Sequence, residues 1–353
     1  MKLAIVLGTR PEIIKMAPVI RECQKRRLDH FVLHTGQHYS YSMDKVFFDD
    51  LELGEAEHNL EVGSGSHAVQ TGKILEGTER VFIEERPDIV LVQGDTNTVM
   101  AAALAAKKLK IKVGHVEAGL RSFDRTMPEE INRVIADHIS DYLFAPTEAS
   151  RRYLLDEGIA EGVFVTGNTI VDAVYQAKDI AARKSSILNK LELPSKSYIL
   201  ATAHRAENVD DRDRLAGMLE GMRLAGEDLG MEVVFPMHPR TQGRVREFGI
   251  SLEGVRMIEP VGFLDFLQLE SNAGLVLTDS GGVQEETCIL GVPCVTLRDN
   301  TERPETIEVG SNMLAGTGPN KIRSAANDMA GREGWRNPFG DGSASSQILD
   351  SVI

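Results

Sequence analysis

Cysteine is scarce, with three residues in 353. Cys23, Cys288 and Cys294 are scattered and form no CxxC pair, which speaks against a disulfide framework or a cysteine zinc site and for a reducing compartment. Long apolar runs are missing too. No stretch approaches the about eighteen apolar residues of a membrane span, and the N-terminal run LAIVL is too short for the core of a signal peptide. A cytoplasmic protein is expected. Positive charge is outnumbered, 39 Lys and Arg against 53 Asp and Glu, for a net charge of −14. Such a chain is a poor partner for nucleic acid or an anionic membrane, and neither is expected. No His/Cys/Asp spacing resembles a metal site, HExxH is absent, and the DRD at 211–213 lies in a polar helix start. Nothing supports a serine nucleophile elbow. GSGSHA at 63–68 fits a dinucleotide pattern but follows a weak, polar strand, HNLEV, so it fails its context. No metal and no cofactor are expected.

What the chain does have is alternation. Short apolar runs end in turn residues and give way to longer amphipathic stretches. The runs are KLAIVL, FVLHTG, DIVLVQGD, KVGHVEAG, YLFAPT and VFVTGN, then YILATAH, EVVFPMH, VRMIEP, GLVLTD and PCVTLRD. Many are apolar throughout, as parallel strands covered on both faces are. Helical patterns over residues 66–85, 96–108 and 208–228 lie between them. The fold class expected is α/β, with two Rossmann-like doubly wound domains facing a cleft. The boundary is placed near Asn168–Asp172, giving domains 1–170 and 171–342. The segment 343–353 is a frayed tail or a last helix returning to the first domain.

Ligands of open parallel sheets gather at the strands' carboxyl ends. Asp95 ends DIVLVQGD and Glu117 ends KVGHVE; Glu129 and Glu130 open a helix after Pro128. These acids can divide acid, base and electrostatic roles, although Glu129 and Glu130 equally suit a helix dipole. In GTRPE, Thr9 and Glu12 form a capping box and Pro11 suits a first turn. Arg10 and Lys15 then sit at the end of a helix that disfavours cations. Either they are solvated or paired with acids, or they face an anion. In GLVLTDSGGVQEE, an apolar strand ends at Asp279, and Ser280, Gly281 and Gly282 open a helix, a pattern suited to a nucleotide phosphate. Glu285 and Glu286 follow, as dipole complements or with one carboxylate taking two ribose hydroxyls. His204 and Arg205 follow one strand of the second series and His238 another.

Together GTRPEIIKMAPVI, TGQH, VQGDT, HVEAGLRS, PEEINR, VTGN, HRAEN, DSGGVQEE, TERPET and NPFGDGSAS resemble the non-hydrolysing UDP-N-acetylglucosamine 2-epimerases, in order along nearly the whole chain. The resemblance implies the glycosyltransferase-B architecture, with the terminal helix on the first domain. It implies interconversion of UDP-GlcNAc and UDP-ManNAc, through elimination of UDP to 2-acetamidoglucal and re-addition. By matching motif, Asp95, Glu117, Glu129 and His204 take the catalytic positions, and which acid removes the C2 proton stays open. Arg10, Ser280, Gly281 and Gly282 would hold the diphosphate and Glu286 the ribose. Lys15, Arg205, His238 and Arg303 would complete the substrate site. Family members are commonly dimers, so a homodimer is expected, with UDP-GlcNAc and UDP-ManNAc as the other partners.

Bacterial members are activated by a second UDP-GlcNAc, and the GQH of that site is present as Gly36-Gln37-His38. The stretches YSYSMDKVFFDD and EVGSGSHAVQTG depart from the bacterial pattern, so this expectation rests on Gln37 and His38. Three rivals stand beside the epimerase: a glycosyltransferase of the same architecture, a hydrolysing epimerase releasing UDP and ManNAc, and a regulator that binds without turnover.

Overall fold

The structure is a computed structural model that describes residues 1–37 and 41–353. The chain divides into two compact units, Met1–Gln176 with Phe339–Ile353, and Ala177–Pro338. The division falls inside the helix Thr169–Lys184.

The first unit holds strands β1 (Lys2–Leu7), β2 (Asp29–His34), β3 (His58–Asn59), β4 (Ile89–Gln93), β5 (Lys112–Val116), β6 (Tyr142–Ala145) and β7 (Val163–Val165). They form one sheet in the order β3-β2-β1-β4-β5-β6-β7, and every pairing is parallel. The second unit holds β8 (Tyr198–Thr202), β9 (Glu232–Pro236), β10 (Val255–Ile258), β11 (Leu275–Thr278), β12 (Cys294–Thr296) and β13 (Asn312–Leu314), in the order β10-β9-β8-β11-β12-β13. Both orders run outward from a central strand in two directions, so each unit is doubly wound. The expected α/β class is borne out in each unit.

Strands such as IVLVQ of β4 are buried at every position because helices cover both faces of the sheet. In the second unit one face packs Ile199, Leu215, Met222, Phe235 and Leu277 together, and the other packs Tyr198, Val234, Leu269 and Val276. The doubly wound order leaves a switch point in each sheet, between β1 and β4 and between β8 and β11. The last helix, Ala344–Val352, belongs to the first unit. Arg26 donates to Asp350 (2.6 Å) and to the Ser346 hydroxyl (2.6 Å), and Asp172 accepts from the Ser345 backbone (3.0 Å). All three cysteines are free and buried. Among the described residues no helix is long and apolar enough to cross a membrane.

Candidate active site

In the first unit, the switch point brings the turns after β1, β4 and β5 side by side. The helix Arg10–Arg26 begins directly after β1. The Glu12 carboxylate reaches back to accept from the backbone N–H groups of Thr9 (3.0 Å) and Gly8, as a capping box requires. The Thr96 hydroxyl donates to it as well (2.5 Å). Burial drives the Glu12 carboxyl up to about 7, against those hydrogen bonds.

Lys15 Nζ donates to both oxygens of Glu117, at 2.7 and 2.8 Å. Both side chains are largely buried. The helix end that should repel Lys15 is outweighed by a carboxylate in direct contact: a dipole mismatch costs about 0.3–1 kcal/mol, and a charged hydrogen bond contributes about 1.5–3 kcal/mol. Glu117 also accepts from Gln93 Nε2 and from Asn168 Nδ2 (3.2 Å). Its backbone is left-handed, with φ of 70°, a conformation that non-glycine residues seldom take and that collects at functional sites. The Arg10 guanidinium lies over the Phe47 ring, 5.1 Å from its centre.

Asp95 follows β4 and pairs with Arg133, which reaches Glu130 at 3.2 Å as well. The Asp95 side chain remains 33% exposed. Burial raises its carboxyl above the ordinary range, helped by the nearby Glu117 and opposed by Arg133 and Lys15. The two acids of PEE have different surroundings. Glu130 is buried and accepts from the Ser122 and Phe123 backbone, at 2.9 and 3.0 Å, so it fixes a loop. Glu129 is exposed and lines a cavity of about 350 Å³ with Gln37, His67, Asp95, Asn97 and Asn132. The Gln37 side-chain oxygen accepts from the backbone (3.0 Å) and hydroxyl (2.7 Å) of Thr98. The residue expected at a second site thus shares one cavity with two of the expected catalytic acids. His38 lies outside the described residues.

In the second unit, the turns after β8 and β11 are joined by Asp279, which is fully buried. Its carboxylate accepts from the backbone of His204 (3.0 Å) and Arg205 (2.9 Å) and from Asn208 Nδ2 (3.2 Å). The His204 ring is half exposed, with Nδ1 3.4 Å from Asp279 Oδ1. His238 uses Nδ1 to cap the helix Pro239–Phe248, accepting from the Arg240 backbone (3.2 Å). His204 and His238 line a second cavity, of about 260 Å³, with Pro260, Val261 and Phe266. Arg205 lies 4.0 Å from Glu302.

Ser280 holds the N-cap position of the helix Gly281–Leu290, without a capping hydrogen bond from its side chain, so the helix opens where the sequence suggests. A Cβ built on Gly281 would come no nearer than 3.8 Å to a neighbouring atom, and on Gly282 no nearer than 3.9 Å. Neither has the positive φ that calls for glycine. Packing and backbone geometry therefore do not explain the two glycines. Glu285 is buried and pairs with Arg303 (2.7 Å). Glu286, one position on, meets Glu270, a fully buried residue of the helix Phe263–Asn272. Burial and the nearby Glu286 charge both push the Glu270 carboxyl well up.

Sequence reasoning missed Arg133, Asp279 and Glu270 as parts of the site. Only Arg133 carried a signal, at helical spacing from Glu129 and Glu130.

Over residues 21–353 the chain matches the family model described as UDP-N-acetylglucosamine 2-epimerase. The UDP-N-acetylglucosamine 2-epimerase of Methanocaldococcus jannaschii is 54% identical over 99% of this chain and 98% of its own. A crystal structure of UDP-GlcNAc 2-epimerase from that organism, in complex with UDP-GlcNAc and UDP, matches with a TM-score of 0.84 and covers 100% of this chain and 99% of that one at 54% identity. The UDP-2,3-diacetamido-2,3-dideoxy-D-glucuronate 2-epimerase of Pseudomonas aeruginosa is 40% identical over 99% of both chains. These likenesses bear out the two-domain, glycosyltransferase-B-like α/β class expected. The chain belongs to the UDP-N-acetylglucosamine 2-epimerase family.

Proposed function

We propose that the protein interconverts UDP-GlcNAc and UDP-ManNAc by inverting C2 of the sugar. The C2 proton is not acidic, because no carbonyl adjoins it. It becomes removable when the C1–O bond breaks, UDP departs with the bonding pair and positive charge develops at C1. A carboxylate then takes H2, and the C2–H pair becomes the C1=C2 bond of 2-acetamidoglucal. The return step delivers a proton to the opposite face of C2 while a UDP oxygen re-forms the bond to C1. No redox cofactor enters this balance.

The chain's residues suit each task. Ser280, Gly281 and Gly282 offer a helix start to the diphosphate, with Arg10, Arg205 and Arg303 as cations. Glu286 takes the ribose hydroxyls. His204, half exposed, serves the departing oxygen, and His238 lines the same cavity. Glu117 is held by Lys15, Gln93 and Asn168, which suits electrostatic stabilisation of positive charge at C1. Glu129 and Asp95 remain for proton transfer. The observation that carries the reading is Asp95: a partly exposed acid at a switch point, raised by burial, as a proton carrier near neutral pH should be. Pure binding of a dianion gains nothing from such an acid.

Further parts of the reading are a homodimer, a cytoplasmic setting and a product destined for cell-surface polysaccharide. The dimer is supported by Phe123, Met127, Ile131 and Ile135, which recur every four residues and are 69%, 37%, 50% and 36% exposed. A second nucleotide sugar in the Gln37 cavity would show as sigmoidal dependence of rate on UDP-GlcNAc.

Incubation with UDP-GlcNAc alone in D2O, followed by proton NMR, tests the function. UDP-ManNAc with deuterium at C2 is expected. Free ManNAc would instead indicate hydrolysis, and no reaction a transferase or a binder. Turnover of UDP-2,3-diacetamido-glucuronate alone would place the substrate with the Pseudomonas relative.

A further inference from the structure

His115 lies on β5, two residues before Glu117, and no part of the mechanism above uses it. It is fully buried. Its Nδ1 lies 2.7 Å from Asp137 Oδ1 and its Nε2 lies 2.8 Å from the Gly94 carbonyl oxygen. A carbonyl oxygen only accepts. Asp137 acts as an acceptor too: its other oxygen takes hydrogen bonds from Arg121 (2.6 Å) and the Gly119 backbone (3.2 Å), and the Arg121 ion pair helps hold its carboxyl below the ordinary range against burial, so it is an ionised carboxylate. Both ring nitrogens therefore need a proton, and a neutral imidazole carries only one. Charge balance agrees. Arg121 is shared between Asp137 and Glu157, so two anions face one cation unless His115 is charged too.

We propose that His115 is a buried imidazolium that positions Asp95 and Glu117 for the reaction; this rests on the catalytic reading given above for those two acids. The Gly94 peptide is gripped on both sides by β5. Its N–H donates to the Val116 carbonyl (3.1 Å) and its carbonyl accepts from His115, so the residue before Asp95 cannot swing. Asp137 holds the far side of the neighbouring turn through the Gly119 N–H. That turn is left-handed at Glu117 and at Gly119, with φ of 70° and 79°. A Cβ on Gly119 would sit 2.3 Å from the Ser150 carbonyl oxygen, so the turn has no slack. The ring also lies close enough to Glu117 for the two charges to interact.

The groups facing the ring are few. Asp137 and Arg121 come from the helix Pro128–Ile139 and the turn before it, Glu117 from the end of β5, and Glu157 and His138 lie beyond Arg121. The register partners of His115 are apolar, Val92 on β4 and Leu143 on β6. Burial opposes the ring's charge, but Asp137, the Gly94 carbonyl and Glu117 together raise its affinity for the proton.

Long-range 15N spectra of the histidine-labelled wild-type protein read the charge directly. Two protonated ring nitrogens for His115 at pH 7 are expected; a single protonated nitrogen overturns the proposal. His115→Gln should lower kcat by about 100-fold, the scale of a small misplacement of reacting groups, with UDP affinity unchanged. Wild-type kcat should fall on the alkaline side as the ring loses its second proton, and His115→Gln should lose that limb. Equal losses in kcat and UDP affinity would mark a merely structural residue and overturn the proposal. Should the variant fail to fold, the wild-type spectrum still decides. If the ring carries both protons but UDP-GlcNAc is not turned over, the charge state stands and the catalytic reading falls.

Discussion

Glu12 shows how a capping residue becomes a pH sensor. It shares one node with Gly8, Thr9 and Thr96 and is 2% exposed. Its carboxyl titrates near 7 folded, against 4.5 ordinarily. Below about pH 4.5 both folded and unfolded chains hold the proton. Between there and pH 7 the unfolded chain has released it while the folded chain keeps it, so stability falls as pH rises through that window. The loss amounts to about 3 kcal/mol from this residue. Glu12→Gln keeps the acceptor for Thr9 and removes the titration. Urea unfolding of the first unit at pH 5 and pH 7 should show a smaller difference in the variant than in wild type.

At the scale of elements, the helix Gly281–Leu290 separates binding from stability. A Cβ at Gly282 makes only an ordinary contact, with Ser280 Oγ at 3.9 Å, and the position is exposed. Gly282→Val should therefore change stability by no more than about 1 kcal/mol. It should weaken UDP binding by about 10- to 100-fold, the loss expected when a charge-assisted hydrogen bond is blocked. Calorimetric titration with UDP beside a thermal melt checks both. The elements themselves were largely legible. KLAIVL and DIVLVQGD read as strands because each is an apolar run closed by Gly or Asp, and strand ends then locate Asp95, Glu117 and His204. The three-residue β13 was not legible, because NML is too short for any period to show. Nor were Asp279 and Glu270 as site residues. Asp279 meets the His204 backbone across 75 positions of sequence, and Glu270 meets Glu286 from a different helix. Pairings of that kind are set by topology, which local pattern does not carry.

At the scale of the molecule, two surfaces give expectations. The apolar stripe on the helix Pro128–Ile139 includes Ile131, which is 50% exposed. If it seats a second copy, Ile131→Asp should convert a dimer to a monomer by light scattering; a wild-type monomer would refute the dimer. The last helix buries Ile348, Leu349 and Val352 in the first unit. Each contributes about 1.5–3 kcal/mol, a sum comparable with the about 5–15 kcal/mol that holds a domain folded. Removal of residues 344–353 should abolish the first unit's cooperative calorimetric transition and leave that of the second.

The return of residues 339–353 to the first unit also bears on birth at the ribosome. Residues 1–176 emerge first but lack their closing helix until residues 177–338 have been translated. At about 5–20 residues per second this delay lasts roughly ten to thirty seconds. The younger unit can thus mature before the older one, and the nascent protein spends that interval with a greasy seam open to chaperones.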